Sequence, residues 1–306
     1  MTNDTKPDLV YILGTGSHWR NNEIRYSLRS VQKYLPHGKV FIIGYKPKWA
    51  RNVIHIPCPD PYRNKLQNSI FKTKKAAWNP EISDRFVIMN DDFFFLRPTK
   101  KVKVYYRGTM DDSIREHPTQ RGYYFSAMTR TRAMMAGRGI MKPKDYAVHF
   151  PMILEKKKVR RLISQFPFDD EGYLFRTVYA NVYGLGGYPR TDTKIKKVEE
   201  LRKRKITRGP DLISTTDGIV LNPKFQKWIH KRLPEPSPYE IEGIEDDMYS
   251  DVVPTRYHTP GKFTYGSRTY GKGEIVKGPI PQRIVKINGL IPIREKIQIM
   301  ESGGVT

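Results

Sequence analysis

Three consecutive polar residues, Asn90, Asp91 and Asp92, follow an apolar run at 86–89 and precede Phe93, Phe94 and Phe95. Two carboxylates at the carboxyl end of a strand reach the region where open α/β sheets bind ligands. Hard oxygen donors of this kind suit Mg²⁺ or Mn²⁺ carrying a diphosphate, where the cation neutralises a nucleotide leaving group. An Asp pair after a strand also caps a plain turn, but a purely solvated turn rarely keeps such aromatic company. Gly14, Thr15, Gly16 and Ser17 follow another apolar run, 9–13. Glycines there let backbone N–H groups approach a phosphate. The stretch has neither the dinucleotide fingerprint nor the lysine of a P-loop, so it also reads as an ordinary strand-to-helix turn.

Further along, His149 stands between Val148 and Phe150, Arg176 follows Leu174 and Phe175, and Asp217 sits between Thr216 and Gly218. Histidine suits acid–base work near neutral pH, although a lone one among apolar residues is more often a hydrogen-bonded core residue. A guanidinium clamps a phosphate through two parallel N–H bonds, or forms a surface ion pair. Asp217 is a candidate base or metal ligand in a dipeptide that equally makes a turn.

These residues need a scaffold. Apolar runs at 9–13, 40–43, 53–56 and 86–89 read as buried strands, each stopped by glycine, proline or the polar residues above. Between them Ile24, Leu28, Val31 and Leu35 recur at helical spacing, and Leu66, Ile70 and Ala77 mark a second helix closing at Pro80. This alternation predicts an α/β fold: a mixed, mostly parallel sheet flanked by helices. Downstream the pattern predicts a strand at 123–128, a basic helix over 154–166, anchored by Leu154, and a further helix over 171–183. It then predicts a charge-dense, solvated helix or loop at 194–205, a short strand at 219–221 and a helix at 225–233. After acidic residues at 240–251 the composition turns to Gly, Pro, Tyr and basic residues. A main domain, 1–240, and a basic appendage, 241–306, follow from that shift.

Across 306 residues there are 55 Lys and Arg against 31 Asp and Glu, a net charge of +24, with 38% hydrophobic residues. That apolar content excludes a disordered basic tail. No apolar run approaches the ~20 residues of a membrane span. Residues 1–6 carry no apolar stretch of signal type, so the expected location is the cytoplasm. A single cysteine, Cys58, excludes an internal disulfide framework and a cysteine-based zinc site. The positive surplus gathers at 97–103, at 156–161 with Lys157 and Arg160, at 194–208 with Arg202 and Arg204, and in a tail where Arg268 stands among tyrosines. Basic residues interleaved with aromatics suit phosphate contacts and base stacking. Self-repulsion at this charge calls for a polyanionic partner.

Together these islands resemble the Stealth family of sugar-1-phosphate transferases, which includes capsule-polymerising enzymes and the lysosomal-targeting phosphotransferase. The resemblance is carried by residues 22–30, by 84–94 around Asn90, Asp91 and Asp92, and by His149, Phe150 and Pro151 with Phe175 and Arg176 downstream. Thr216, Asp217 and Gly218, with the stretch 233–240, complete it. It implies a core similar to glycosyltransferases of the GT-A type, a UDP-sugar-like donor, and Mg²⁺ or Mn²⁺ held by Asp91 and Asp92. It implies Asp92, His149, Arg176 and Asp217 as catalytic residues, with His149 or Asp217 as base. It also implies a donor site of Gly14, Thr15, Gly16, Ser17, Arg25, Asn68, Ser69, Asn90 and Asp91. One departure stands out. Where the family's first region reads Val-Asp-Gly-Ser-Asp, this chain reads Gly14, Thr15, Gly16, Ser17, His18, and both acids are missing. Sugar-phosphate transfer, releasing a nucleoside monophosphate, therefore competes with ordinary glycosyl transfer, releasing a diphosphate. The basic clusters point to hydroxylated DNA, as in viruses that sugar-modify their genomes, with the acceptor base flipped out of the duplex. An anionic capsule polymer is the competing acceptor, and a non-enzymatic nucleic-acid-binding protein on a decayed transferase fold the competing class.

Overall fold

The computed structural model describes residues 6–14, 17, 19–62, 64–168, 172–203, 211–244, 256–258, 261–265, 268–272, 274–277 and 291–292. The apolar runs of the first part become β1 (Asp8–Leu13), β2 (Val40–Gly44), β3 (Ile54–Pro57) and β4 (Arg85–Met89). Helix α1 (Asn22–Tyr34) joins β1 to β2, and α2 (Lys65–Trp78) joins β3 to β4. Next come β5 (Phe94–Phe95), β6 (Tyr105–Tyr106), α3 (Met110–Arg115), α4 (Tyr123–Ala136), β7 (Met152–Glu155), α5 (Lys156–Gln165) and α6 (Phe175–Val182). They are followed by β8 (Tyr188–Pro189), β9 (Lys194–Ile195), α7 (Glu200–Lys203), β10 (Leu212–Thr215), α8 (Asp217–Val220) and α9 (Pro223–Arg232).

The central sheet has the order β3-β2-β1-β4-β7, with β7 antiparallel and the rest parallel. Side chains alternate across a strand. Leu9, Tyr11 and Leu13 therefore meet Ile24, Leu28 and Val31 of α1 on one face. Val10 meets Ile70 of α2, Val159 of α5 and Val178 of α6 on the other. The expected α/β architecture, a mostly parallel sheet between helices, is thus present. The chain steps outward from β1 to β2 and β3, then α2 carries it back to lay β4 on β1's other side. Ligand crevices of open sheets form at that reversal, outside the carboxyl ends of the strands. Leu13 and Met89 end there, and Asn90 follows directly.

Four expectations are corrected. The stretch 123–128 is not a strand but the start of α4, whose buried Ala127, Met128, Thr131 and Met135 form a helical stripe of mostly good helix formers. Residues 219–221 are not a strand either. The Thr216 carbonyl accepts from the amides of Ile219 (2.9 Å) and Val220 (3.2 Å), opening the one-turn α8, and the strand is β10 just before it. A short apolar run does not by itself distinguish the two. Leu154 belongs to β7, opposite Phe86, so the basic helix begins at Lys156. The segment at 194–205, expected as a solvated helix or loop, begins instead with the two-residue strand β9.

The chain divides into two compact units, Met1–Glu245 and Asp246–Thr306, against an expected boundary at 240. Residues 241–244 stay with the first unit because the Ile241 amide donates to the Trp49 carbonyl (2.7 Å) and Arg25 Nη2 donates to the Ile244 carbonyl (2.6 Å). The second unit contains β11 (Arg256–His258), β12 (Phe263–Tyr265), β13 (Arg268–Tyr270), β14 (Ile275–Lys277) and β15 (Ile291–Pro292). In it β12 and β13 form an antiparallel pair, and β11 lies between β14 and β15. Among the described residues no helix is long and apolar enough to cross a membrane.

Candidate active site

Asp92 is seated by β10. It accepts hydrogen bonds from the Ser214 hydroxyl (2.5 Å) and the Thr215 amide (3.1 Å). The seat follows from strand pairing, since β5 comes immediately after Asp92 and runs antiparallel to β10, with Phe94 opposite Ile213. Beside it, burial and then the charges of Asp92 and Glu23 push the Asp91 carboxyl well above the usual carboxylate range. Glu23, buried in the first turn of α1, is raised as well. Burial is the main cause, and the charges of Asp217 and Asp92 add to it against a 2.7 Å hydrogen bond from the Ser17 hydroxyl. Glu23 is absent from the sequence-derived candidates because an acid in the first turn of a helix is already explained by the helix dipole. It brings a carboxylate from α1 to a region whose loop, 14–18, carries none.

Arg176, near the start of α6, donates through Nη2 to Asn90 Oδ1 (2.8 Å) and through Nη1 to the Phe150 carbonyl (2.8 Å). Its guanidinium lies 5.6 Å from the centre of the Phe93 ring. Burial lowers its pKa to about 10, with the Asp92 charge acting the other way. One residue before Phe150, the His149 ring is held at both nitrogens. Nδ1 donates to Asp192 Oδ2 (2.7 Å), and Nε2 accepts from Lys194 Nζ (3.1 Å). Burial opposes ionisation of Asp192, but the hydrogen bond and charge of the His149 ring, followed by the His149 and Lys194 amides, hold it down to about 2. Neither Asp192 nor Lys194 stood out in the sequence.

The structure therefore brings Asn90, Asp91, Asp92 and Arg176 together, with His149 next to them. Asp217 is exposed and near enough to Glu23 to act on its charge. The remaining donor-site candidates divide. Gly14 ends β1 against Asp60, whose Oδ2 would lie 3.2 Å from an added Cβ. Thr15 and Gly16 lie outside the described residues. The Ser17 hydroxyl accepts from the amides of Trp19 (3.2 Å) and Asn21 (2.8 Å), building the turn into α1. Arg25 packs over the Trp49 ring (4.7 Å) and holds the 240–244 segment instead of facing the acids. Asn68 ties the loop before α2 by accepting from the Tyr62 amide and donating to the Tyr62 carbonyl, both 2.9 Å. Ser69 is half-buried one residue on in α2.

The basic candidates lie elsewhere. Lys157 and Arg160 are exposed on α5, and Arg160 Nε donates to the Ala77 carbonyl (2.8 Å) near the end of α2. That end of α2 precedes the start of β4, so these two residues sit at the amino edge of the sheet. At about 3.3 Å per strand residue, β4 separates that edge from Asn90 by more than 10 Å. Arg202 falls in α7 and Arg268 in β13, and Arg204 lies outside the described residues.

No family model matches the sequence, and no curated protein sequence matches it. Among solved structures, the chain is similar to the galactosyltransferase LgtC in complex with donor and acceptor sugar analogues, at 9% identity and a TM-score of 0.44, over 75% of this chain and 96% of that one. It is similar to the glycosyltransferase GlyE of Streptococcus pneumoniae, at 9% identity and a TM-score of 0.35, over 78% of this chain and 67% of that one. It is also similar to mouse xyloside xylosyltransferase 1, at 8% identity and a TM-score of 0.32, over 68% and 97%. These are distant likenesses in the course of the chain, and they assign no activity to it.

Proposed function

We propose that the chain is a transferase that moves a sugar from a nucleotide-sugar donor to an acceptor hydroxyl. One observation carries this reading. Asp91, Asp92 and Glu23 crowd their negative charge at the carboxyl edge of the sheet, while Arg176 bonds neutral acceptors, Asn90 Oδ1 and the Phe150 carbonyl. Crowded carboxylates call for a cation, and a guanidinium whose hydrogen bonds, among the described residues, go to neutral oxygens can serve an anion. A metal–diphosphate supplies both.

Mg²⁺ or Mn²⁺ fits the donor set. Asp92 Oδ2 is oriented by Ser214 and Thr215, Asp91 lies next to it, and the Thr215 hydroxyl is buried with no hydrogen-bond partner among the described residues. Asp91 and Asp92 would hold the ion. Bound there, it neutralises charge on the departing diphosphate. Arg176 orients the phosphates. The acceptor oxygen attacks the anomeric carbon, the bond from that carbon to the diphosphate oxygen breaks, and the diphosphate leaves with the electron pair. The acceptor proton passes to Asp217, an exposed carboxylate near enough to Glu23 to act on its charge.

The acceptor we propose is hydroxylated DNA, on the strength of the +24 charge. Lys157 and Arg160 serve as a holding surface away from the crevice, with Arg202, Arg204 and Arg268 adding charge. The test is incubation with UDP-glucose or UDP-GlcNAc, Mn²⁺ and hydroxymethylated DNA, reading the nucleotide product and the nucleoside masses. Release of UDP with a sugar adduct is expected. Release of UMP replaces glycosyl transfer with sugar-phosphate transfer, and absence of an adduct removes DNA as acceptor. If no nucleotide product forms and UDP with Mn²⁺ leaves the melting temperature unchanged, the transferase reading falls.

A further inference from the structure

We propose that Lys194 is a phosphate-binding residue of the donor site, held there by His149 and Asp192; this deepens the nucleotide-sugar reading and rests on it. The contacts of the site close into a ring. Asp92 is held by Ser214, and Ser214 is the register partner of Lys194 in the parallel β9–β10 pair. Register partners on neighbouring strands send their side chains to the same face, about 5 Å apart at the backbone. Lys194 therefore projects on the side where Ser214 meets Asp92. From Lys194 the ring continues to the His149 imidazole, along the chain to the Phe150 carbonyl, through Arg176 to Asn90, and back to Asp92. Two cations, Arg176 and Lys194, thus attach to adjacent residues of one loop, Arg176 at the Phe150 carbonyl and Lys194 at the His149 ring.

The chemistry of the Asp192–His149–Lys194 chain fits a held cation. Asp192 takes Nδ1–H of His149 together with two backbone amides, which fixes the ring with its Nε2 lone pair outward. That lone pair accepts from the Lys194 ammonium, a half-buried group with three donors, two of which remain for oxygen atoms of a ligand. Among the described residues the Lys194 ammonium contacts an imidazole nitrogen and not a carboxylate, which leaves it to meet an anion. His149 is then a positioning residue, and Lys194 touches the diphosphate.

Isothermal titration of the full chain with inorganic pyrophosphate and with UDP, at fixed ionic strength, tests this. Lys194→Met should weaken both affinities about tenfold or more, the scale of a lost charge-assisted contact, and Lys194→Arg should restore most of it. His149→Asn, too short to reach Lys194, should show a similar loss, while His149→Gln, whose amide oxygen replaces Nε2, should retain affinity. Melting curves accompany each variant, and if Lys194→Met unfolds, the His149 pair carries the test. Lys196→Met, an exposed neighbour, controls for net charge. Unchanged pyrophosphate binding by Lys194→Met, or an equal loss in Lys196→Met, overturns the assignment while UDP binding by the unaltered chain keeps the donor reading. If the unaltered chain binds neither pyrophosphate nor UDP, with or without Mn²⁺, both fall.

Discussion

Two regions of this molecule bury carboxylates beside arginines, and they treat them in opposite ways. Where α1 meets the 233–244 segment, Arg29 Nε and Nη2 each donate to a Glu240 oxygen at 2.8 Å. Arg29 Nη1 serves the carbonyls of Leu233 and Pro234 (3.0 Å each), and the Ser237 amide adds a 2.6 Å bond to Glu240. Burial works against the Glu240 charge, but Arg29 and Ser237 hold its carboxyl below the usual range. At the carboxyl edge of the sheet the same burial raises Asp91 and Glu23, because the nearest charges are other acids. Both regions pay the desolvation penalty, but among the described residues only the first answers it with an arginine bonded to the carboxylate. A carboxylate matched donor for donor is architecture. Carboxylates whose charges act on one another are the ones the proposed cation would join.

The contrast can be broken from either end. The largest effect is expected at the matched pair. Glu240→Ala strands the buried Arg29 charge and should cost about 3–5 kcal/mol in chemical denaturation, while a molecule that still folds keeps its UDP and Mn²⁺ response. Asp92→Asn should do the reverse, lowering transfer by roughly 100- to 1000-fold with the unfolding midpoint nearly unchanged. Full activity in that variant removes Asp92 from the metal. The pH dependence should also split. Asp91 and Glu23 have raised pKa values, so the native state binds more protons than the unfolded chain. Their stabilising contribution is complete in acid and is lost as pH rises from about 4 through their folded values. Asp91→Asn should therefore melt above the unaltered protein at neutral pH, with the gap closing towards pH 4. Glu240, held low, stabilises above the ordinary carboxylate range and loses that contribution as pH falls, so Glu240→Gln should show its deficit at neutral pH and narrow it in acid. The smallest effect is expected for Ser214→Ala, about 1 kcal/mol, because the Thr215 amide still holds Asp92.

The sequence made the strands and the acidic turn legible because both are local. An apolar run that ends in Asn90, Asp91 and Asp92 carries its meaning within seven residues. Glu23 was hidden by a sufficient local explanation, its place in a helical first turn. Asp192 and Lys194 were hidden for a different reason: they lie in a short stretch with no periodicity, and their partner His149 is more than forty residues away. Arg25 shows the converse error. It shares a motif with the candidate site, but its helix face turns it to Trp49 and Ile244. Position in a motif places a residue on an element, and the packing of that element decides what it meets. The basic cluster at 156–161 was legible as charge, but its location at the amino edge of the sheet depends on β7 running antiparallel.

The Arg25 and Arg29 contacts have a mechanical side. Load applied to the chain beyond residue 245 meets the Arg25 bond to the Ile244 carbonyl first, then the Ile241 amide on Trp49, then the doubly bonded Glu240. These contacts act in series along the exit of the first unit and transmit tension into α1. Glu23 stands at the head of that helix, two residues before Arg25. Tension at the exit of the first unit would thus reach, through Arg25 and Arg29, the helix that carries Glu23, the acid whose charge acts on Asp91.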